Sequence, residues 1–186
     1  NLQDYEIDVA LTSTERVGFH RYTFPETENA HIILDMVSNI YHYEGKNVWT
    51  FIRVENDSLI TGYRQTNGWA RNRYVYFAMS FSKHFKSYGH KKYGVVKYNG
   101  FYRKFNEEKD FPEMAGQEIR AYFDFDMQEG EDLLIKMALS SVSTAVALNN
   151  MKAEIPHWNF NQVKREAQEK WNQELSKIQV EMMTEA

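Results

Sequence analysis

From Tyr5 to about Ser143 the chain alternates apolar and polar residues with a period of two, in short runs cut by turn residues. That pattern constrains the fold more than any other feature, because side chains two apart share one face of a strand and cannot share one face of a helix. "YEIDVALTS" places Ile7, Val9 and Leu11 on one face. "RVGFHRYTF" places Val17 and Phe19 on one face, with Gly18, His20 and Tyr22 on the other. "AHIILDM", "NVWTFIRVE", "SLITGYRQT", "RYVYFAMSFS", "YGVVKYN", "EIRAYFDF" and "DLLIKMALSS" read as further strands. Glu44-Gly45, Asn56-Asp57, Asn67-Gly68, Asn99-Gly100 and Glu129-Gly130 supply turn chemistry between them. No helical crossover separates the runs, so a parallel sheet is excluded and an antiparallel β-sandwich is predicted. Twelve Tyr and twelve Phe against only three Pro suit a pleated surface on which flat rings pack.

After Ser143 the period changes. "STAVALNNMKAEIP" predicts a short helix that stops before Pro156, since the residue ahead of a proline avoids helical geometry. Then Phe160, Val163, Ala167, Trp171, Leu175, Ile178 and Met182 recur three or four apart, one helical stripe. Asn159 and Gln162 resemble a capping box, and Glu166 and Lys170 form an i,i+4 pair of the favourable polarity. A stripe of this size should be buried, either back on the sandwich or against a second copy. The domain reading is therefore residues 1–143 as sandwich and 144–186 as helical linker. The absence of an initiator Met and the polar helical end suggest a piece cut from a longer protein.

Several function classes lose support. The net charge of −4 offers no global field for nucleic acid or an anionic membrane. No run of residues is long and apolar enough to span a bilayer, and no signal peptide is present. With no Cys there are no disulfides and no thiolate metal sites. "DFDMQEGED" (124–132) is carboxylate-rich, but Gly130 falls at the seventh position and Ile135 at the twelfth, where a calcium loop needs Gly at the sixth and Glu at the twelfth. The histidines show no zinc spacing. Between Lys83 and Phe105 cations interleave with rings, as in single-strand nucleic-acid binders, yet "NEEKDFPE" follows at once and favours a solvated hairpin face. No nucleophile elbow occurs.

One stretch is chemically specific. In "GYRQTNGWARNRYVYFAMSFSKHF" Trp69 follows the Asn67-Gly68 turn and is flanked by Arg71 and Arg73. A ring on a loop can stack on sugar C–H faces while a guanidinium donates to hydroxyls, so Trp69 and Arg71 are candidate substrate-binding residues. The alternative is a Trp folded back over the end of the sandwich.

"LTSTERVGFHRYTFP", "GYRQTNGWA", "YFAMSFSKHF", "KMALSSVSTAVALNNMKAEIPHWNF" and "WNQELSKI", taken in order, resemble glycoside hydrolase family 92, the bacterial exo-acting α-mannosidases. The resemblance implies a galactose-mutarotase-like supersandwich, then linker helices, then an (α/α)₆ catalytic barrel. It implies that this chain is the later part of the sandwich plus the linker, with its own barrel domain as partner and a mannose-containing glycan as the substrate of the whole protein. It further implies an inverting, α-1,2-type hydrolase outside the cytoplasm, with its catalytic carboxylates and calcium in the barrel. No catalytic residue, metal ligand or cofactor is thereby assigned to this chain, whose own part is non-catalytic and helps to shape the substrate pocket. Two other readings stand beside it: a free-standing carbohydrate-binding module, and a purely structural interaction domain.

Overall fold

The computed structural model describes residues 2–41, 43–93, 111–178 and 180. After a short 3-10 turn at Gln3–Tyr5 come ten strands: β1 (Asp8–Ser13), β2 (Val17–Thr23), β3 (Thr27–Asp35), β4 (Asn47–Asn56), β5 (Leu59–Thr66), β6 (Arg73–Phe81), β7 (Ser87–Tyr93), β8 (Glu113–Gly116), β9 (Glu118–Met127) and β10 (Asp132–Ser140). Helices α1 (Thr144–Glu154) and α2 (Phe160–Leu175) follow. The strands form a seven-stranded sheet in the order β1-β2-β10-β6-β5-β4-β8 and a three-stranded sheet in the order β3-β9-β7. All pairings are antiparallel. The antiparallel sandwich followed by two helices is thus the fold that the alternation predicts.

Period two gives each strand of the large sheet one face toward the small sheet. Ile52, Ile60, Phe77, Met79, Phe81, Leu133 and Ile135 meet Ile119, Phe123, Phe125 and Met127 there, in the main core. Gly62 makes one close approach possible. A Cβ on it would stand 2.7 Å from the Phe77 ring and 2.1 Å from the Phe51 carbonyl oxygen, so no other residue fits between the strands at that point. The opposite, outer face carries a second core, in which Val17, Phe19, Ala78 and Ala138 pack under Ala147, Met151, Ile155, Phe160 and Val163 of the helical segment. The alternation of Val17 and Phe19 against Tyr22 is therefore a division between two cores, since Tyr22 packs on the main one.

The structure corrects several details. Leu11 shares a face with Val9 but is exposed, because β1 is an edge strand. The Lys83–Tyr93 stretch is not a solvated face throughout. Phe85 and His90 are buried, while Lys83 pairs with Glu131 and Lys86 with Asp126. Its later part, Ser87–Tyr93, forms β7, which period two alone did not separate from the preceding turn. Residues 94–99 of the "YGVVKYN" run, the Asn99-Gly100 turn, the remainder of the basic stretch to Phe105, and Met182 lie outside the described residues.

Both helices start on side-chain caps: the Ser143 hydroxyl accepts from the Val146 N–H, and the Asn159 side chain accepts from the Gln162 N–H. The second half of the capping box is not made, since Gln162 turns to donate to Glu166. The Glu166–Lys170 pair is not made either, because Lys170 reaches Glu15 across the seam. Only the first part of the α2 stripe is buried. Phe160 and Val163 are covered, but Trp171, Leu175 and Ile178 are 67%, 66% and 80% exposed. Among the described residues no helix is long and apolar enough to cross a membrane.

Candidate functional site

The polar residues of "TERVGFHRYTFP" converge on the helical segment. Glu154, the last residue of α1, has its carboxylate between the β1–β2 turn and the helix. Its Oε2 accepts from the Thr14 hydroxyl at 2.6 Å and from the Arg16 backbone N–H at 3.1 Å, and its Oε1 accepts from Arg16 Nε. An anion at a helix C-terminus opposes the helix dipole, so these bonds must offset an intrinsic penalty. Burial would raise the Glu154 pKa, but the hydrogen bonds from Thr14 and Arg16 outweigh it and hold the carboxyl below its usual range.

Lys136 on β10 supplies the opposite charge where the dipole favours it. It is buried, donates from Nζ to the Ile155 carbonyl at 2.9 Å, and stands 4.0 Å from the Trp158 ring centroid. Burial brings its pKa down to about 8. Phe19 lies against both Trp158 and Phe160, at centroid distances of 6.0 and 5.4 Å, and Arg21 sits 4.9 Å from the Phe160 ring. Glu15 pairs with Lys170 at 3.1 Å, farther along α2. Thr14, Glu15, Arg16, Phe19 and Arg21 thus form a seam that fixes α1 and the start of α2 to the sheet. His20 faces the other way, with Nδ1 3.1 Å from the Tyr22 hydroxyl, and burial lowers its pKa. An open groove between β1 and α2, lined by Leu11, Ser13, Lys164, Ala167 and Trp171, continues the seam toward the exposed end of the helix.

Trp69 and Arg71 lie on the β5–β6 turn, well apart from the seam in the fold order. The Trp69 ring is fully exposed and does not fold back over the sandwich. The turn is braced at its base, where the Tyr43 hydroxyl donates to the Asn67 carbonyl at 2.6 Å and Gly68 N–H donates to the Ala70 carbonyl. In "DFDMQEGED" four of the five carboxylates have separate partners: Asp124 accepts from Ser87, Asp126 pairs with Lys86, Glu131 with Lys83, and Asp132 accepts from Thr23.

The family 92 N-terminal domain of the glycosyl hydrolases matches residues 1–140, and the catalytic domain of the same family matches residues 146–186. This chain belongs to glycosyl hydrolase family 92. Its structure is similar to that of a family 92 α-mannosidase from Bacteroides thetaiotaomicron, with a TM-score of 0.83 and 34% identity over 98% of this chain and 24% of that one. The complex of that enzyme with mannoimidazole gives 0.82 and 35%, over 97% of this chain and 23% of the other. A family 92 inverting mannosidase from the same organism gives 0.75 and 26%, over 96% and 22%. The chain therefore spans about a quarter of the length of these family 92 structures. No curated protein sequence matches it. The seam acquires a meaning from the two family matches: Thr14 and Arg16 lie within the N-terminal domain match and Glu154 within the catalytic domain match, so the latch joins one to the other.

The alternation in "RVGFHRYTF" predicts the strand but not Glu154, Lys136 and Trp158, its partners. The only sequence signal for them was proximity to the period change. It also missed a cluster of rings on β4–β6, although "VWTF" and "RYVYF" place aromatics two apart.

Proposed function

We propose that this chain is the sandwich and first helices of an exo-acting α-mannosidase that hydrolyses mannose-containing glycans. The observation that carries the reading is the pair of family 92 domain matches together with 34% identity to a family 92 α-mannosidase, and the latch ties the two matches into one folded unit. The sandwich is the non-catalytic part. It holds the catalytic barrel through residues 144–186, and the apolar ridge of Trp171, Leu175 and Ile178 is the surface that the rest of that domain covers. Trp69 and Arg71 contact substrate from the β5–β6 turn and help to shape its pocket. The whole protein works outside the cytoplasm, on α-1,2 linkages, with inversion.

Inversion requires two carboxylates on opposite sides of the scissile bond, spaced to admit a water. No acidic residue of this chain is assigned to either role. Calcium is expected in the whole enzyme, but the donor sets here do not fit it. Among the described residues no three acidic or histidine side chains come together, and Asp124, Asp126, Glu131 and Asp132 are engaged by cations and hydroxyls. Calcium in the remainder of the catalytic domain is part of the proposal.

The test is mannose release from α-1,2-mannobiose, followed by NMR of the first-formed anomer, with the full-length protein and with the 186-residue chain. The full-length protein should release β-mannose and lose activity in chelator, and the chain alone should release none. Release by the chain alone, or none from any α-mannoside by the full-length protein, would contradict the reading.

A further inference from the structure

The Trp69 ring is fully exposed, so the backbone of the turn that carries it sets where it points. That turn, residues 67–72, is longer than the two-residue loops that close a hairpin on their own, and β5 and β6 pair only as far as Thr66 and Arg73. The loop between β3 and β4 grips it from outside. Both backbone groups of Asn67 are taken up there: the N–H donates to the Lys46 carbonyl at 2.8 Å, and the carbonyl accepts from the Tyr43 hydroxyl at 2.6 Å. A Cβ on Gly68 would stand 3.3 Å from the Tyr43 hydroxyl oxygen, so the phenol lies close against the turn. The gripping loop is itself fastened. The Lys46 N–H donates to the Tyr43 carbonyl at 3.2 Å, with Gly45 between them in the left-handed region (φ 79°) that glycine adopts without strain. The Lys46 ammonium donates to the Tyr41 carbonyl at 2.5 Å and stands 5.4 Å from the Tyr43 ring centroid. Farther back, Arg64 on β5 donates to the Ser38 carbonyl at 2.8 Å and to the Asn47 side chain at 2.6 Å.

We infer that Tyr43 is a positioning residue for the substrate: through the Asn67 carbonyl it holds the turn in place for Trp69 to meet the sugar. The role rests on the substrate contact proposed above for Trp69 and adds to it a residue from a different loop. An exposed ring on an unbraced loop must be ordered when the ligand arrives, and that ordering subtracts from affinity. A turn ordered beforehand by its neighbour avoids the subtraction. A tyrosine suits this task. Its side chain has only two torsions to fix, and its hydroxyl reaches a backbone carbonyl, whose position reports the path of the turn itself. Because Tyr43 is exposed and belongs to neither hydrophobic core, its hydroxyl fixes the turn rather than the sandwich.

Steady-state hydrolysis of α-mannobioses by the full-length protein tests this, comparing Tyr43→Phe, Trp69→Ala and the double variant, with thermal melting as the control for folding. Tyr43→Phe removes only the hydroxyl. It should raise KM about fivefold, the equivalent of one neutral hydrogen bond, and hold kcat, because the lost group acts on binding and not on the reacting bond. Trp69→Ala should raise KM about tenfold, the equivalent of one ring contact. Adding Tyr43→Phe to it should raise KM no further, since a residue that acts through Trp69 then has nothing to position. If Tyr43→Phe melts early, Gly68→Ala, whose Cβ crowds the same hydroxyl, is expected to give the KM rise in a folded protein. A KM that moves in Trp69→Ala but in neither Tyr43→Phe nor Gly68→Ala overturns the role of Tyr43 and spares the Trp69 contact. A KM unmoved by Trp69→Ala, or no hydrolysis at all, defeats the reading on which the role rests, and the role with it. Effects that add in the double variant, or a loss of kcat at constant KM, place Tyr43 on another route and also overturn it.

Discussion

On the outer face of the large sheet, the half over β2 and β10 is lined by Val17, Phe19 and Ala138 and lies under two helices, whereas the half over β4 and β5 is lined by Trp49, Phe51 and Tyr63 and lies open among the described residues. The two halves share one backbone and one period. They differ in what the side chains ask of a partner. The closed half brings a cation and an anion into its margin, Lys136 and Glu154, and satisfies each with a specific acceptor or donor. A buried charge tolerates only one geometry, so this half specifies where α1 ends and where α2 begins. The open half has no such groups in its centre, and its rings pack on one another.

The largest expected effect is on the closed half. Phe19 is wholly buried between sheet and helices, so Phe19→Ala should destabilise the chain by about 3–5 kcal/mol, read by denaturant unfolding. Tyr63→Ala on the open half should cost much less, and equal losses would erase the distinction between the halves. Next comes Lys136. Its folded-state pKa lies at about 8, below its ordinary value of 10.5, so burial of the charge opposes folding in full at neutral pH and is relieved as the pH rises through that interval. The native chain should gain up to about 3 kcal/mol on this account between pH 8 and 10.5, and Lys136→Met should remove the gain. The comparison is cleanest below pH 10, before tyrosines begin to ionise in the unfolded chain. A native stability that is flat or falling relative to the variant over pH 8–10 would show that the ammonium is not buried.

A smaller effect is expected at Glu154. Its folded pKa is depressed, so its contribution is present above the ordinary carboxyl range and is lost as the pH falls through the folded value. Glu154→Gln should cost about 1–2 kcal/mol at pH 7 and little in acid. A cost that is the same at both pH values would mean that the carboxylate charge is not what holds the latch. The smallest effect is expected at the far end of α2. Replacing Trp171 and Leu175 with Glu should change the stability of this chain by no more than about 0.5 kcal/mol, because both side chains are exposed in it. A stripe with this spacing predicts burial, but in this chain the sheet ends before the helix does.

Eight of the ten described strands, both helix starts and the sandwich were legible in the sequence, because period and capping are local properties, whereas β8 (Glu113–Gly116) is too short to show a period. β7 was harder to see, since Lys83 and Lys86 precede it and Lys91 stands within it, and the first two are satisfied by Glu131, Asp126 and the Glu28 carbonyl, all distant in the chain. The latch was half legible. The strand that carries Arg21 and the turn before it follow from the period, but Glu154 is 138 positions from Arg16 and nothing local pairs them. The ring cluster on β4–β6 was written in the spacing of Trp49 and Phe51 and of Tyr74 and Tyr76, yet only the register of three strands brings the two runs together.

The central claim is that α2 is split, its start fixed to the sandwich and its end reserved for the rest of the catalytic domain. Amide hydrogen exchange on the 186-residue chain and on the full-length protein tests it directly. In the chain, the α1 amides and those around Val163 should be protected as strongly as those of β2 and β10, while amides from Trp171 to Ile178 exchange rapidly. In the full-length protein the latter should become protected. Uniform protection of α2 in the chain alone, or continued rapid exchange at Trp171 in the full-length protein, would contradict the account.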